Sequence, residues 1–410
     1  MKVLRNIGQL ATCRGEGGQG EIHPIPDAAL VWEGDTIRWV GPRVALPAEF
    51  AGAEPIDAGG GLVIPGLIDC HTHLAFGGWR ADEFEQRIRG RSYRQIAADG
   101  GGILRTVRLT RSEPEDALVG RAEGFLREML ALGVTTVECK SGYGLDRENE
   151  LKLLRVYRAL ARRQPVRLVP TFLGAHTVPP EWRDDREGYL RLLVEELIPE
   201  VARAGLAEFC DVFVESSAFS VDEARRILQA GRAAGLRPKL HADQLTAGGG
   251  AELSAEVGAV SADHLEHASD KGVRAMADAG VVAVILPLAS LYLGQPALSA
   301  RRFIDAGVPV AVATDFNPGS APSYHLPLAL TLACTLQGMT PAEALKGATW
   351  CAAKALGKAD TIGSLEPDKS ADFAVLDAAD AGHWLYHFRP NVCRRTVIGG
   401  ATCWTSGNFS

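Results

Sequence analysis

From residue 64 onward, the sequence alternates short apolar, β-prone runs with amphipathic helical segments. This alternation is typical of βα units arranged around a parallel sheet. Eight of the runs are predicted to be strands, at residues 64–73, 134–140, 166–176, 211–216, 238–243, 261–267, 281–287 and 308–315. Helices are predicted at residues 114–132, 148–163, 221–234, 297–306 and 341–356. Eight βα units in about 290 residues predict an α/β fold with a (β/α)8 TIM-type barrel.

Short strand-like runs separated by turn residues lie on both sides of the barrel sequence. They fall at residues 30–32 and 36–40 before it, and at residues 371–377 and 396–400 after it. Glycine and proline between such runs are typical of tight turns that join short strands. We therefore expect both termini to meet in one small β-sandwich domain, formed by residues 1–63 and 360–410, beside a catalytic barrel of residues 64–359.

Charge and composition limit the classes of partner. The 410 residues carry a formal net charge of -7, so there is no basic excess to neutralise phosphates, and neither nucleic acid nor an anionic membrane is expected as a partner. No window approaches the roughly 20 apolar residues of a membrane span, and the N-terminal stretch lacks the apolar core of a signal peptide. Eight cysteines without a Cys-x-x-Cys pair suit reduced thiols. We expect a cytoplasmic protein that acts on small molecules.

Side chains that can bind a metal follow the predicted strands where these end. His71 and His73 end the first strand, and the third, fifth, sixth and eighth strands end at or near His176, His241, His264 and Asp315. An i, i+2 spacing on a strand places both imidazoles of a pair on one face. In a TIM-type barrel, the catalytic groups lie at the carboxyl ends of the strands. With only ten histidines in the chain, chance does not readily explain this placement.

Three histidines and one aspartate together predict an open site for one metal with room for water. The set consists of His71, His73, His241 and Asp315. Singly, a strand-end histidine is more often a hydrogen-bonded core residue, and an aspartate after an apolar run can be a helix N-cap. The fourth strand offers no lysine that could be carbamylated to bridge two metals, so one divalent ion is expected. The same ligands suit Zn²⁺ and iron, Fe²⁺ or Fe³⁺.

Seven segments carry a resemblance to a known family. They are residues 69–80, 100–103, 138–145, 172–176, 241–245, 261–266 and 313–320. Through them the chain resembles, over essentially its whole length, the imidazolonepropionases of the amidohydrolase superfamily. The histidines and the aspartate are shared widely across the superfamily, whereas Phe-Gly-Gly-x-Arg, ending at Arg80, and Lys-Ser-Gly-Tyr-Gly, around Tyr143, are more specific.

The resemblance implies hydrolysis of 4-imidazolone-5-propanoate to N-formimidoyl-L-glutamate in histidine degradation, by metal-activated water that attacks the cyclic amide. It implies that the four residues of the predicted site hold the metal. It also implies substrate contacts from Arg80, Tyr143, His176, Gln244, Asn317, Gly319 and Ser320. The carboxylate tail of such a substrate requires a cation, and a guanidinium can contact it through two hydrogen bonds.

Some family members have a glutamate where this chain has Gln244, and an amide cannot act as a base at neutral pH. We therefore assign Gln244 to binding. The acid and base roles are predicted to fall to Asp315, as a proton relay, and to His264, which would position or polarise the reacting groups. His176 is predicted to donate to the ring carbonyl or its oxyanion.

Two other interpretations fit parts of the pattern. A different mononuclear amidohydrolase, such as a deaminase or an N-acyl amino acid hydrolase, would reuse the metal ligands with other loop residues. A metal-free binding paralogue would keep the fold but lose the ligands, and all four are present. Arg80 favours a substrate with an anionic tail over a neutral base. Because members of the family that the chain resembles are commonly dimers, a homodimer is one candidate assembly.

Overall fold

The computed structural model of the protein describes residues 1–91, 95–96 and 99–407. Its strands, in chain order, are β1 (Lys2–Ala11), β2 (Pro24–Glu33), β3 (Thr36–Pro42), β4 (Glu54–Asp57), β5 (Leu62–Pro65), β6 (Leu67–Asp69), β7 (Val134–Lys140), β8 (Arg167–Ala175), β9 (Phe209–Val214), β10 (Arg237–Ala242), β11 (Ser261–His264), β12 (Val282–Ile285), β13 (Val310–Val312), β14 (Phe373–Leu376), β15 (Cys393–Ile398) and β16 (Ala401–Thr405).

The α-helices of the described residues cover the outside of the barrel or join its parts. They are α1 (Ala81–Ile88), α2 (Ile103–Ser112), α3 (Glu115–Ala131), α4 (Arg147–Leu160), α5 (Arg186–Arg191), α6 (Ile198–Arg203), α7 (Val221–Ala233), α8 (Gly250–Glu256), α9 (Asp270–Ala279), α10 (Pro287–Leu293), α11 (Arg301–Ile304), α12 (Leu326–Gln337), α13 (Pro341–Gly347), α14 (Trp350–Ala355) and α15 (Ala381–Tyr386). None of them is both long and apolar enough to cross a membrane.

The eight strands from β6 to β13 form the predicted parallel barrel. Each pairs with the next in chain order. The first and last strands meet through the residues that follow them, because Thr72 and Phe316 form a parallel bridge and the Asp315 amide donates to the His71 carbonyl at 3.1 Å. The barrel is thereby nearly closed, and its closing seam brings His71 and Asp315 together. The predicted fold class is confirmed.

The first predicted strand, residues 64–73, is in fact divided between two sheets. β5 belongs to the terminal sheet and β6 belongs to the barrel, with Gly66 between them. The amide of Gly66 donates to the Asp372 carbonyl, and a Cβ at this position would overlap the side chain of Thr135. A glycine at this change of sheet leaves room for the Thr135 side chain of the neighbouring barrel strand. An apolar run in the sequence predicts that its residues are buried, but it does not show to which sheet they belong.

Two predicted helices and the last barrel strand are shorter than expected. The predicted helix at 341–356 is two helices, α13 and α14, which are separated by Ala348 and Thr349. Thr349 has φ -126° and ψ -95°, outside the helical region, and its hydroxyl donates to the Leu345 carbonyl. The predicted helix at 297–306 is reduced to α11, and the predicted strand at 308–315 is reduced to β13, so Asp315 lies on a loop. Apolar periodicity does not detect such interruptions.

Both termini contribute to one mixed sheet, as predicted. Its strand order is β16-β15-β14-β5-β1-β2-β3, and β4 also pairs with β1. Trp32 on β2 and Phe373 on β14 have ring centroids 5.3 Å apart, although β5 and β1 lie between their strands. The sheet therefore folds over on itself around a shared apolar core. The limits of the two domains, at residues 63 and 360, stay a prediction, and β5 runs across the first of them.

The glycine-rich segment at residues 14–20 joins this terminal domain to the barrel. The side-chain amide of Gln19 donates to the Val310 carbonyl at 2.7 Å, and its oxygen accepts from the Val310 amide at 2.8 Å. The ammonium of Lys346 donates to three carbonyl groups, those of Glu16, Gly18 and Glu21, each at 3.1 Å. The segment is thus held against the amino end of β13.

Candidate active site

Six predicted site residues meet at the carboxyl ends of the barrel strands. They are His71, His73, His176, His241, His264 and Asp315. The rings of His71 and His241 have centroids 4.6 Å apart, and those of His73 and His176 stack at 5.0 Å. The centroid of His264 lies 5.4 Å from that of His241. The closing seam and the parallel register place these side chains in one cluster.

Three atom pairs among the four predicted metal ligands have the spacing that a small cation requires, and His71, His73 and Asp315 form one group of possible metal ligands. Nε2 of His241 lies 3.4 Å from Nε2 of His73. Oδ1 of Asp315 lies 3.4 Å from Nε2 of His71 and 3.6 Å from Nε2 of His73. Nitrogen and oxygen atoms bound to one tetrahedral ion at about 2.0–2.1 Å lie about 3.4 Å from one another. The donor atoms therefore fit a single divalent ion.

The protonation of His71 supports the same conclusion. Its Nδ1 lies 2.6 Å from Oδ2 of Asp263, and since an ionised carboxylate only accepts, Nδ1 carries the proton. Burial lowers the pKa of His71 well below its ordinary value, so the ring is neutral and Nε2 keeps its lone pair. That nitrogen has no hydrogen-bond partner among the described residues and faces a carboxylate oxygen of Asp315. When Asp315 is ionised, two acceptors face each other here, and a cation between them would satisfy both.

Burial also favours the neutral forms of the other three predicted ligands. It lowers the pKa of His73 and of His241 well below the ordinary histidine value, so both imidazoles are neutral donors of a lone pair. It raises the pKa of the Asp315 carboxyl well above the ordinary value, so an ionised Asp315 needs a positive charge beside it. A divalent ion satisfies all four groups at once.

A buried network of charges supports the ligands from inside the barrel. Nζ of Lys140 lies 2.8 Å from carboxylate oxygens of Glu138 and Asp211, and 3.4 Å from Asp263. Asp211 lies 3.0 Å from Nδ1 of His241, so two of these carboxylates contact ligand histidines. Burial lowers the pKa of Lys140, but the three carboxylates outweigh it and raise that pKa above its ordinary value. Lys140 is therefore a fixed positive charge.

His176 and Tyr143 form one wall of the site. Nδ1 of His176 lies 3.0 Å from the Gly142 carbonyl, which can only accept, so this nitrogen carries the proton. Burial lowers the pKa of His176 to about 4, and the ring is neutral with Nε2 as an acceptor. Tyr143 is buried, with its ring centroid 5.5 Å from those of His73 and His176.

The loop after β13 joins a metal ligand to three predicted substrate contacts. The Asn317 side chain donates to the Asp315 carbonyl at 2.6 Å and to the Ser320 hydroxyl at 2.8 Å, and its oxygen accepts from the amides of Gly319 and Ser320. The Ser320 hydroxyl lies 3.4 Å from Oδ2 of Asp315. Asp315 has φ +55°, an unusual backbone conformation for a residue with a side chain. Asn317 thus holds the loop around the carboxylate.

Arg80 and Gln244 lie on loops at the same rim. The Arg80 side chain is only 10% exposed, and its Nε and Nη1 atoms have no hydrogen-bond partner among the described residues. Its positive charge contributes, after burial and Lys140, to the low pKa of His176. Gln244 is half-buried, three residues after His241. Within the described part of the chain, no hydrogen bond or ion pair joins Gln244 to the other predicted site residues.

The sequence patterns missed several residues of the site. Asp211, Asp263 and Lys140 are fully buried. The two carboxylates lie beside His241 and His71, and Lys140 lies beside both carboxylates, only because the folded barrel brings them together. Glu266 also lies at the rim, with Oε2 3.9 Å from Nδ1 of His264, and burial raises its pKa to about 7. The available signal was an ionisable residue inside an apolar strand, as in Phe209–Val214, because such a charge needs a buried partner.

Comparison with known proteins gives the family of this fold. The model of the amidohydrolase family matches residues 62–403. The imidazolonepropionase of Geobacillus kaustophilus (strain HTA426) is 51% identical over 408 residues, which cover 97% of this chain and 96% of that protein. The imidazolonepropionase of Myxococcus xanthus (strain DK1622) is 49% identical over 404 residues, again with 97% and 96% covered.

Solved structures share the fold at low sequence identity. Guanine deaminase of E. coli superposes with a TM-score of 0.73 at 16% identity, with 99% of each chain covered. Atrazine chlorohydrolase TrzN from Arthrobacter aurescens TC1, solved in complex with zinc, gives a TM-score of 0.72 at 18% identity, with 98% of this chain and 95% of that chain covered. At such identities the likeness extends to the fold alone.

Proposed function

The chain belongs to the amidohydrolase family and, within it, to the imidazolonepropionases, and we propose that it hydrolyses 4-imidazolone-5-propanoate to N-formimidoyl-L-glutamate. The observation that carries the proposal is the Arg80 guanidinium, buried with two unpartnered nitrogens at the rim that holds the predicted metal ligands. A cation at this place suits a substrate with a carboxylate tail. The neutral bases of deaminases would offer no carboxylate to the guanidinium nitrogens that the Glu83 ion pair leaves without hydrogen bonds.

We propose that His71, His73, His241 and Asp315 hold one zinc or iron ion, as their spacing and protonation support. When bound, the ion polarises the ring carbonyl and lowers the pKa of water at the site. Asp263 orients His71 through the contact with its Nδ1, and Asp211 lies 3.0 Å from Nδ1 of His241. Such outer carboxylates fix the tautomer and the ring direction of metal-binding histidines.

In the proposed reaction, one water adds across the cyclic amide. A carbon–oxygen bond forms at the ring carbonyl, the ring carbon–nitrogen bond breaks, and one proton moves from water to the departing nitrogen. Asp315 is placed to carry that proton, because Oδ1 faces the histidine ligands while Oδ2 faces the Ser320 hydroxyl. His264, with Glu266 3.9 Å from its Nδ1, is a second proton carrier at the rim.

The tautomer of His176 leads us to a revised role for this residue. Donation to the ring carbonyl would need a proton on Nε2, but the Gly142 carbonyl keeps the single proton of the neutral ring on Nδ1. We propose that Nε2 of His176 accepts a hydrogen bond from a ring N–H of the substrate. Tyr143, Gln244, Asn317, Gly319 and Ser320 complete the proposed set of substrate contacts.

All eight cysteines are free, which supports the proposed cytoplasmic location. We keep a homodimer as the proposed assembly.

An ultraviolet assay with freshly prepared 4-imidazolone-5-propanoate tests the proposal. Metal-loaded protein should consume the substrate, a chelator should abolish that activity, and added Zn²⁺ or Fe²⁺ should restore it. Arg80→Met should raise KM and leave the metal content at one ion per chain, whereas Arg121→Met, at a half-buried arginine paired with Glu113, should change neither. Consumption of the substrate that is insensitive to the chelator, or none at all by metal-loaded protein, would refute the proposed function.

A further inference from the structure

The Arg80 guanidinium is confined on one side by Glu83, a residue to which neither the motifs nor the chemistry above give a role. Arg80 precedes α1 and Glu83 lies in its first turn. Oε2 of Glu83 is 3.7 Å from Nε of Arg80, and both side chains are about one-tenth exposed. An ion pair with so little solvent around it restricts where the guanidinium can lie.

Glu83 is itself held in place by the glycine segment before α2. The Gly102 amide donates to Oε1 of Glu83 at 3.1 Å, and Nη1 of Arg105 lies 3.7 Å from the same oxygen. Gly102 has φ +67°, and a Cβ at Gly101 would come within 2.9 Å of the carboxylate. The glycines at 101 and 102 therefore have a physical function, since they let the backbone approach and fix Glu83.

On its other side, the guanidinium lies against the loop after β13. A Cβ built on Gly319 would overlap the Nη2 atom of Arg80. Gly319 is four residues from Asp315, and its amide donates to Asn317, which in turn holds the Asp315 carbonyl. The Arg80 charge is thus placed relative to the metal ligands by direct packing between two loops.

We propose that Glu83 and Gly319 fix the Arg80 guanidinium so that the site selects the length of the chain between the reacting ring and the substrate carboxylate. This inference rests on the proposed function. A guanidinium that cannot move accepts the two-carbon tail of the propanoate, whereas a one-carbon tail places its carboxylate out of reach when the ring carbonyl is at the metal ligands. Arg80 binds the tail, Glu83 acts as a positioning residue, and Gly319, besides its proposed substrate contact, positions Arg80 by packing against it.

The ratio of kcat/KM for the propanoate substrate to kcat/KM for its one-carbon acetate homologue measures this selection. Both substrates carry one carboxylate, so a change in local charge affects them alike and cancels in the ratio. Wild-type protein should prefer the propanoate about 100-fold, because a reacting group misplaced by about 1 Å loses about that factor. In Glu83→Gln and in Gly319→Ala, the preference should fall to about tenfold.

Glu85→Gln is the matched control. It makes the same chemical change on α1, but Glu85 is exposed and pairs only with Arg89 among the described residues, so the preference should stay near the wild-type value. Metal content and thermal unfolding of each variant show whether it is folded. If Glu83→Gln does not fold, the measurement on Gly319→Ala alone tests the inference. A wild-type preference near one, or a preference unchanged in both variants, would overturn the inference alone. A metal-loaded wild type that hydrolyses neither compound would overturn the proposed function as well.

Discussion

The carboxylate behind His71 allows a sharp test of how this chain holds a metal. Oδ1 of Asp263 accepts from the Ser261 hydroxyl at 2.6 Å, and Oδ2 contacts Nδ1 of His71 at 2.6 Å and Nζ of Lys140 at 3.4 Å. In Asp263→Asn, the Ser261 hydroxyl can turn and accept from the amide NH2 group, so the amide oxygen stays toward His71 and Lys140. A neutral amide oxygen holds the Nδ1 proton less firmly than a carboxylate does, so the His71 tautomer is less well fixed and Nε2 is a weaker ligand for the metal.

The expected loss follows from the contacts. One short hydrogen bond between histidine and carboxylate is weakened, and Lys140 keeps Glu138 and Asp211 as partners, so the chain should still fold. Removing an outer carboxylate of this kind typically lowers metal affinity by about 10- to 100-fold, which is about 1.4–2.7 kcal/mol. Competition with a chelator of known affinity measures this loss directly for Zn²⁺, without reference to catalysis.

Thr171→Val is the control for that experiment. Its hydroxyl donates to Glu138 at 2.6 Å in the same buried network but does not contact the carboxylates behind the histidines. The free energy of unfolding should fall by about 1 kcal/mol, while Zn²⁺ affinity stays at the wild-type value. Zn²⁺ affinity unchanged in Asp263→Asn, or an equal loss in both variants, would refute the argument that Asp263 sets the tautomer of His71.

Three further predictions concern stability. Burial lowers the pKa of His176 to about 4 in the folded state, below its ordinary value of 6.5. The neutral ring's contribution to stability is therefore present above pH 6.5 and is lost as the pH falls toward 4. Urea unfolding of chelator-treated protein should show this loss, and His176→Asn should show a smaller loss over the same pH range. Glu223→Gln removes the ion pair with Arg186 but keeps an acceptor for the Ser220 amide at the start of α7, and should lower the free energy of unfolding by about 1 kcal/mol at unchanged kcat. Gln19→Ala leaves Val310 without two side-chain hydrogen bonds and should cost about 2 kcal/mol, again with kcat unchanged.

Each of these outcomes has a clear contrary result. Equal pH dependence in wild type and His176→Asn would show that the buried neutral imidazole is not the group responsible. A loss of activity in the Glu223 variant, or in the Gln19 variant, would show that these distant contacts also shape the site. Denaturant titration together with the ultraviolet assay distinguishes the cases, because stability and turnover are measured on the same sample.

The sequence by itself determined the order of elements and identified the predicted metal ligands that the fold brings together. Short continuous apolar runs and the helical periodicity between them depend on neighbouring residues, so eight βα units could be counted directly. In a parallel barrel every strand ends at the same rim, so the four residues His71, His73, His241 and Asp315 could be grouped from strand order alone. The spacing of side chains along one strand is a local property.

Only the tertiary structure decided which groups surround those ligands. The contact between Asp263 and His71 spans 192 residues, and Arg80 meets Gly319 across the closing seam of the barrel. One apolar run was divided between two sheets at Gly66, where a neighbouring strand approaches. Such contacts arise when distant strands pack, and a pattern of neighbouring residues carries no record of them. The protonation of His176 follows from such a contact, and so does the fixed position of Arg80.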